Sequence, residues 1–444
     1  MNKKIKVLSI AIVAMFAIGG AYLFVNKDKK EVPPLLERLG PISTTSEWLN
    51  TKKAIETLQT QIRLNSGNFK AKMLLALAYM QEARITGEHP YYYPAALDLL
   101  ESVLSNTNKD NGLYKEAIVA KASVLLSLHQ FQNAKQLGEE ALKDGNANAA
   151  IYGILCDAYV ELGDYENAVK VTDLMISLKP DLRSYSRVSY LREIHGDLNG
   201  AIEAMKLAVS AGLPGLEQTA WTRINLAKLY QKKGDLPNAE LQYKLALYET
   251  PFYAFALGGL GSIAENKKDY KTAIAYYEKA AKIIPEFSFN ENLAQLYATV
   301  GKKELSQKTA EEVIDMLDED ADAGHKVDLE LANLYVNLFH DYDKALEYAE
   351  NEYEVRPNNI DVNKCLALIY YKKQEYKTAY KYIKSASRTH RNDSELLTLT
   401  ALIYNKTGQI KASNALIKQS FKLNPYQNDE LAFEAKKLIL NKHL

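Results

Sequence analysis

The sequence predicts an all-α solenoid, a row of stacked helix–turn–helix units behind one N-terminal apolar segment. Three observations carry that expectation. The chain matches itself at a spacing near 34 residues, alanine recurs at one slot of the repeat, and glycine–aspartate turn signals recur at another.

The period is plainest in two adjacent segments. INLAKLYQKKGDLPNAELQYKLALYETP (Ile224 to Pro251) and GGLGSIAENKKDYKTAIAYYEKAAKIIP (Gly258 to Pro285) align position by position. Leu226 meets Leu260, Ala227 meets Gly261, Asp235 meets Asp269, Ala239 meets Ala273, Tyr243 meets Tyr277, and Pro251 meets Pro285. The glycines that open the second segment imitate a phosphate-binding loop. Such a loop follows a strand and ends at a helix N-terminus, where free N–H groups point at the anion. The preceding LQYKLALYETPFYAFAL has helical spacing, and Ser262 is followed by Ile263 with no P-loop lysine. Gly261 therefore reads as a packing glycine in a slot where a neighbouring helix comes close.

Walking outward, the alanine slot of the second helix falls at Ala54, Ala96, Ala134, Ala168, Ala201, Ala239, Ala273, Ser306, Ala345, Ala379 and Ser413. An aromatic slot late in the first helix gives Tyr79, Tyr159, Tyr230, Tyr297, Tyr335, Tyr370 and Tyr404. Gly163-Asp164, Gly196-Asp197, Gly234-Asp235, Lys268-Asp269 and Gly408-Gln409 mark the turns within units, and Pro180, Pro251, Pro285, Pro357 and Pro425 close them.

This pattern resembles the tetratricopeptide repeat, W-x2-L-G-x2-Y, then A-x3-F, then P. The unit 149–182 supplies Tyr152, Leu155, Tyr159, Gly163, Asp164, Ala168 and Pro180. The resemblance covers about ten units over residues 47–427 and implies a right-handed superhelix with a concave groove that takes protein or peptide partners. Each unit is an amphipathic helix pair that buries its apolar face only by stacking on its neighbours. Residues 428–444 read as the capping helix. Extra residues near 83–94, 105–113, 212–219 and 318–326 are expected to form loops.

The chain has 444 residues, 47% apolar and 25% charged, with zero formal net charge, which argues against a basic nucleic-acid-binding face. Charge is nonetheless uneven. Glu311 to Glu354 holds fifteen acidic residues against two lysines, whereas Asp361 to the C-terminus holds fifteen basic against seven acidic. Cys156 and Cys365 occupy similar helical contexts and read as buried small hydrophobes.

After a basic N-terminus (1–6), Val7 to Val25 carries no charge and as a helix makes a rod of about 28 Å, enough for a bilayer core. The expectation is an uncleaved transmembrane anchor; the rival is a signal peptide cleaved near Gly19-Gly20-Ala21. Residues 26–46, with Pro33, Pro34 and Pro41, read as a stiff spacer.

Catalytic chemistry is sparse. The seven histidines have no partner at metal-ligand spacing, and HExxH, CxxC and GxSxG are absent. DEDADAGHKVDLE (Asp318 to Glu330) imitates a calcium loop, but Ala323 and Leu329 occupy the positions of its glycine and glutamate. It reads as an acidic link between units. No enzyme activity, cofactor, metal, nucleic acid or small-molecule substrate is expected.

Counting the repeat register places Arg183, Tyr190, Trp221, Lys228, Phe255, Asn333, Lys364 and Tyr371 on the groove. The lysine–asparagine clamp that grips C-terminal carboxylates in one tetratricopeptide subfamily is missing, because Leu368 follows Lys364 at the clamp's second position. Tyr91, Tyr92 and Tyr93, between two prolines, form a candidate contact loop or a cover for the first repeats. The leading functional reading is a membrane-tethered protein-binding scaffold of a bacterial envelope. The alternatives are an organelle-membrane receptor with a cytosolic solenoid and an accessory subunit of a glycan-handling or secretion machine.

Overall fold

The computed structural model describes residues 32–145, 147–427 and 429–440. The apolar run 7–25 lies outside them. Among the described residues no helix is long and apolar enough to cross a membrane.

Ten antiparallel helix pairs follow a leading helix, Ser46–Leu64. Pair 1 is Phe69–Thr86 with His89–Asn106, pair 2 Gly112–Ser127 with Phe131–Lys143, and pair 3 Ala149–Glu161 with Tyr165–Leu178. Pair 4 is Leu182–Ile194 with Leu198–Ala211, pair 5 Glu217–Lys232 with Leu236–Glu249, and pair 6 Ala254–Asn266 with Tyr270–Ala281. Pair 7 is Phe287–Thr299 with Lys303–Asp322, and pair 8 is Asp328–Leu334, continued as a π-turn over Tyr335–Phe339, with Tyr342–Val355. Pair 9 is Ile360–Lys372 with Tyr376–Ala386, and pair 10 Ser394–Lys406 with Ile410–Leu423. Glu430–Leu440 closes the array.

Local chemistry sets the pair. Every turn between paired helices holds one residue at positive φ: glycine at 87, 163, 196, 234, 301 and 408, and His129, Lys268, His340 and Gln374 in the others. That left-handed residue ends the first helix. Asp164, Asp197, Asp235, Asp269 and Asp341 then cap the second helix by accepting from a backbone N–H in its first turn. The recurrent small slot lets the two helices touch. Ala96, Ala134, Ala168, Ala201, Ala239, Ala273, Ala345, Ala379 and Ser413 have no exposed surface, and Ser306 has 9%. Gly258 lies against the Phe289 ring and Gly261 against Tyr277, so these are packing glycines.

Ala54 departs from the pattern. It is exposed, because Ser46–Leu64 is a single leading helix that buries Trp48, Ile55, Gln59 and Ile62 instead. The extra residues near 83–94 and 318–322 lengthen helices and do not form loops. The proline-containing segment is not a free spacer either. From Val32 it straps onto pair 1, where Tyr79 and Gln59 donate to the Pro33 carbonyl and Tyr91 donates to that of Pro34 at 2.6 Å. Arg38, 4% exposed, donates to buried Glu82 at 2.6 and 2.9 Å. Ile42 reaches the core of pairs 6 and 7.

That crossing is possible because the solenoid closes on itself. The turn inside a pair touches the link that follows the pair five places on. Gly87 meets Pro285, and Gln130 donates to the Gly324 carbonyl at 2.9 Å while Lys326 N–H donates to that of Leu128 at 3.1 Å. Gly163 meets Asn358, Gly196 meets His390, and Gly234 meets Pro425. These five contacts make a continuous seam between successive superhelical turns.

The seam leaves no space for a side chain at Gly163, where a Cβ would run into the Asn358 carbonyl. Gly163→Ala should therefore lose both the left-handed conformation and the contact, about 2–4 kcal/mol. Gly301 has positive φ but open space around it, so Gly301→Ala should cost only about 1–2 kcal/mol. Denaturant melts of the two variants compare the seam directly; equal losses would remove it as a stabilising contact. Ala273→Leu should cost about 1–3 kcal/mol by overpacking pair 6 in the same assay.

Candidate functional site

The first helices of the pairs face the superhelix interior. Four of the residues expected there keep their side chains open. Arg183 and Lys228 are exposed, Tyr190 is 37% and Trp221 46% exposed. Seam closure gives this surface an unusual electrostatic setting. Lys228 touches solvent, yet surrounding protein lowers its pKa by desolvation, and the same cause pushes the Tyr190 phenol well up. Glu265 and Glu291 are pushed up to about 7 by burial.

The other four candidates are occupied. Phe255 is half-buried between Tyr253 and Phe289, with ring centroids 5.8 and 5.5 Å away. Asn333 donates to the Leu329 carbonyl of its own helix at 2.9 Å, and Lys364 pairs with Glu395 at 2.8 Å. Tyr371 is 5% exposed and donates to Glu434 of the closing helix at 2.5 Å, so it lies under that helix and not on the groove. The three tyrosines are not a loop. They sit in the helix His89–Asn106, with Tyr92 and Tyr93 buried, and Tyr92 accepts from Leu36 N–H at 3.2 Å. Tyr91 and Tyr92 hold the strap.

One arrangement escaped register counting. Where the seam crosses pairs 3 and 8, a cavity of about 440 Å³ is lined by His129, Asp157, Glu161, Glu330, Arg356 and Asp361, among others. Buried Arg356 donates to Glu161 at 2.7 Å and to Glu352, and stacks over the Phe131 ring at 4.8 Å. Arg187 forks onto Asp157 at 2.8 and 2.5 Å, and Arg391 joins Asp361 at 3.0 Å to Glu193 at 3.4 Å. Burial pushes Glu161 up to about 7 against the pull of Arg356, and pushes Glu330 up to about 7 as well. The Arg356–Glu161 partners lie 195 residues apart. No local motif marks them; only comparison of units five pairs apart could have suggested the pairing.

The cavity holds carboxylates that resist ionisation, and arginines that tie one superhelical turn to the next. Nothing in it pairs a nucleophile with a base. Among the described residues no three His, Cys, Asp or Glu side chains are placed to hold a metal ion. Cys156 and Cys365 are buried free thiols pushed up to about 12 by burial, which leaves them unreactive.

Residues 125–192 and 256–287 match the tetratricopeptide repeat. No curated protein matches the sequence. Among solved structures, a tetratricopeptide protein of Thermus thermophilus is 22% identical over 48% of this chain and 98% of its own, with a TM-score of 0.36. One from Parabacteroides merdae is 18% identical over 59% and 99%, with a TM-score of 0.36. The human IFIT1 dimer is 14% identical over 84% and 94%, with a TM-score of 0.44. The repeat fold suggests a protein–protein interaction scaffold, and no catalytic family is indicated.

The cavity sets a pH dependence. Glu330 titrates near 7 in the fold and near 4.5 when unfolded, so its neutral form favours folding. That stability is fully present below about 4.5 and is lost as pH rises through 7. Glu330→Gln, which is neutral throughout, should raise Tm relative to wild type at pH 8 and change it little near pH 4. Parallel Tm curves for both proteins would show that Glu330 is not held in a desolvated site.

Proposed function

We propose that this chain is a non-enzymatic scaffold, tethered to a bacterial envelope membrane by residues 7–25, that holds protein or peptide partners on the inner face of its solenoid. The observation that supports this most is the row Arg183, Tyr190, Trp221 and Lys228. Aromatic and cationic side chains stand open there along two neighbouring first helices, in a part of the molecule that otherwise buries or pairs such groups. Aromatic and arginine side chains supply most hot spots at protein interfaces, at about 2 kcal/mol or more each. A pre-formed surface also spares the scaffold the entropy of ordering on binding.

The strap constrains the tether. Only residues 26–31 separate the apolar run from docked Val32, and six extended residues reach about 20 Å. An anchor at 7–25 therefore keeps pair 1 close to the bilayer.

Full-length protein should stay with membranes after carbonate washing; a mature chain starting near Tyr22 would replace the anchor with a cleaved signal. Partner capture is the second test. Trp221→Ala and Tyr190→Ala should leave Tm nearly intact and reduce proximity-labelled partners in the producing cell by tenfold or more, as expected for a loss of about 2 kcal/mol. If both variants melt several degrees lower while the folded fraction labels the same partners, these side chains pack the repeat and the binding surface lies elsewhere.

A further inference from the structure

The seam uses two edges of the solenoid: the turns inside pairs 1–5 and the links after pairs 6–10. Ten pairs leave a matching edge free at each end, the turns of pairs 6–10 and the links after pairs 1–5. The free edges carry the same kind of residue as the covered ones. The residue that opens the second helix is buried at four of the five covered turns, Phe131 at 6%, Tyr165 at 6%, Leu198 at 7% and Leu236 at 4%, and His89 of pair 1 is half-buried. At the same slot on four of the five uncovered turns stand Tyr270, Tyr342 and Tyr376, each half-buried, and Ile410 at 40% exposed; pair 7 has exposed Lys303 there. Gly301 and Gly408, which keep the left-handed turn, face open space, whereas Gly87, Gly163, Gly196 and Gly234 face a link.

The link edges show the same contrast. Ile283 and Ile284, on the link covered by Gly87, are 9% and 4% exposed. On or beside uncovered links, Leu178 is 58%, Leu213 69%, Leu216 46%, Tyr248 85% and Phe252 39% exposed. Val355 and Tyr426, at 61% and 39%, are the exposed exceptions beside covered links. Apolar patches of this kind mark contact surfaces.

We propose that the free link edge of pairs 1–5, most apolar on the links after pairs 3–5, receives the free turn edge of pairs 6–10 from a second copy of this chain. The contact repeats the intramolecular seam between molecules and continues it. It joins two different surfaces, so it is heterologous and head-to-tail: each copy that binds at one edge leaves its other edge open for the next. The occupant is fixed by that continuity, because the chain already displays the surface that fits this edge.

Sedimentation velocity of the full chain in detergent should show a mean protein mass that exceeds one chain and rises with concentration. Leu213→Glu with Tyr248→Glu disables the link edge, and Val300→Glu with Ile410→Glu disables the turn edge. Each double variant alone should sediment as a monomer with an unchanged melting temperature. An equimolar mixture of the two should give dimers and nothing larger, because it contains one intact edge of each kind. Leu241→Glu, at an exposed position in the middle of the second helix of pair 5 and between the two edges, should behave as wild type. A wild type that stays monomeric throughout overturns the proposal. So do a double variant that still dimerises alone, as a two-fold patch-to-patch contact would, and a mixture that stays monomeric although both variants are folded.

Discussion

Closure of the superhelix hangs on one backbone conformation, the left-handed residue that ends each first helix. It bends the chain tightly enough for the turn to project, and where it is glycine it presents bare backbone. Gly163 and Gly196 can then lie against the carbonyls of Asn358 and His390. Main-chain contact is unforgiving, because peptide groups cannot move aside as a flexible side chain can. The charged groups around it follow from that closeness. Arg356, Arg388 and Arg391 reach across the seam because the backbones are already together: Arg388 donates to the Gly163 carbonyl at 2.6 Å, and Asn359 donates to that of Glu161 at 2.9 Å. These bonds satisfy carbonyls that helix ends leave unpaired.

The same closure decides what kind of surface the interior is. An open solenoid offers its concave side to bulk water, where lysines and carboxylates keep their ordinary pKa values. Here Lys228 and Glu291 shift in the directions that desolvation dictates, towards the neutral form.

The fold was legible because its determinants are local. An alanine slot, a glycine–aspartate turn and a 34-residue spacing all act within one helix pair, and the buried alanines from Ala96 to Ala379 follow them. Ala54 misled because identity at a slot does not reveal whether a partner helix precedes it. The inner surface was half legible. Trp221 and Tyr190 lie in the middle of the array, where register alone fixes the facing direction. Tyr371 shares the register, but the closing helix covers it, and Phe255 turns into the contact between pairs 6 and 7. The Arg356–Glu161 pairing was not legible at all. It depends on the small rotation between successive pairs, summed over five steps, and no single unit encodes that sum.

Seam contacts such as Ile360 with Tyr165 join residues 195 apart, whereas the contacts within a pair join near neighbours. A growing chain can therefore complete each pair as it emerges, but it closes no part of the seam until more than half of it has been made. Until then the nascent molecule is an open spiral, with the seam faces of pairs 1–5 and the sites for the strap's far end uncovered. The finished molecule also departs from the one-dimensional behaviour of repeat arrays, in which each unit feels only its neighbours. A perturbation in pair 3 reaches pair 8 directly, so the array melts less like a row of beads unzipping from its ends and more like a coil losing its pitch in one step.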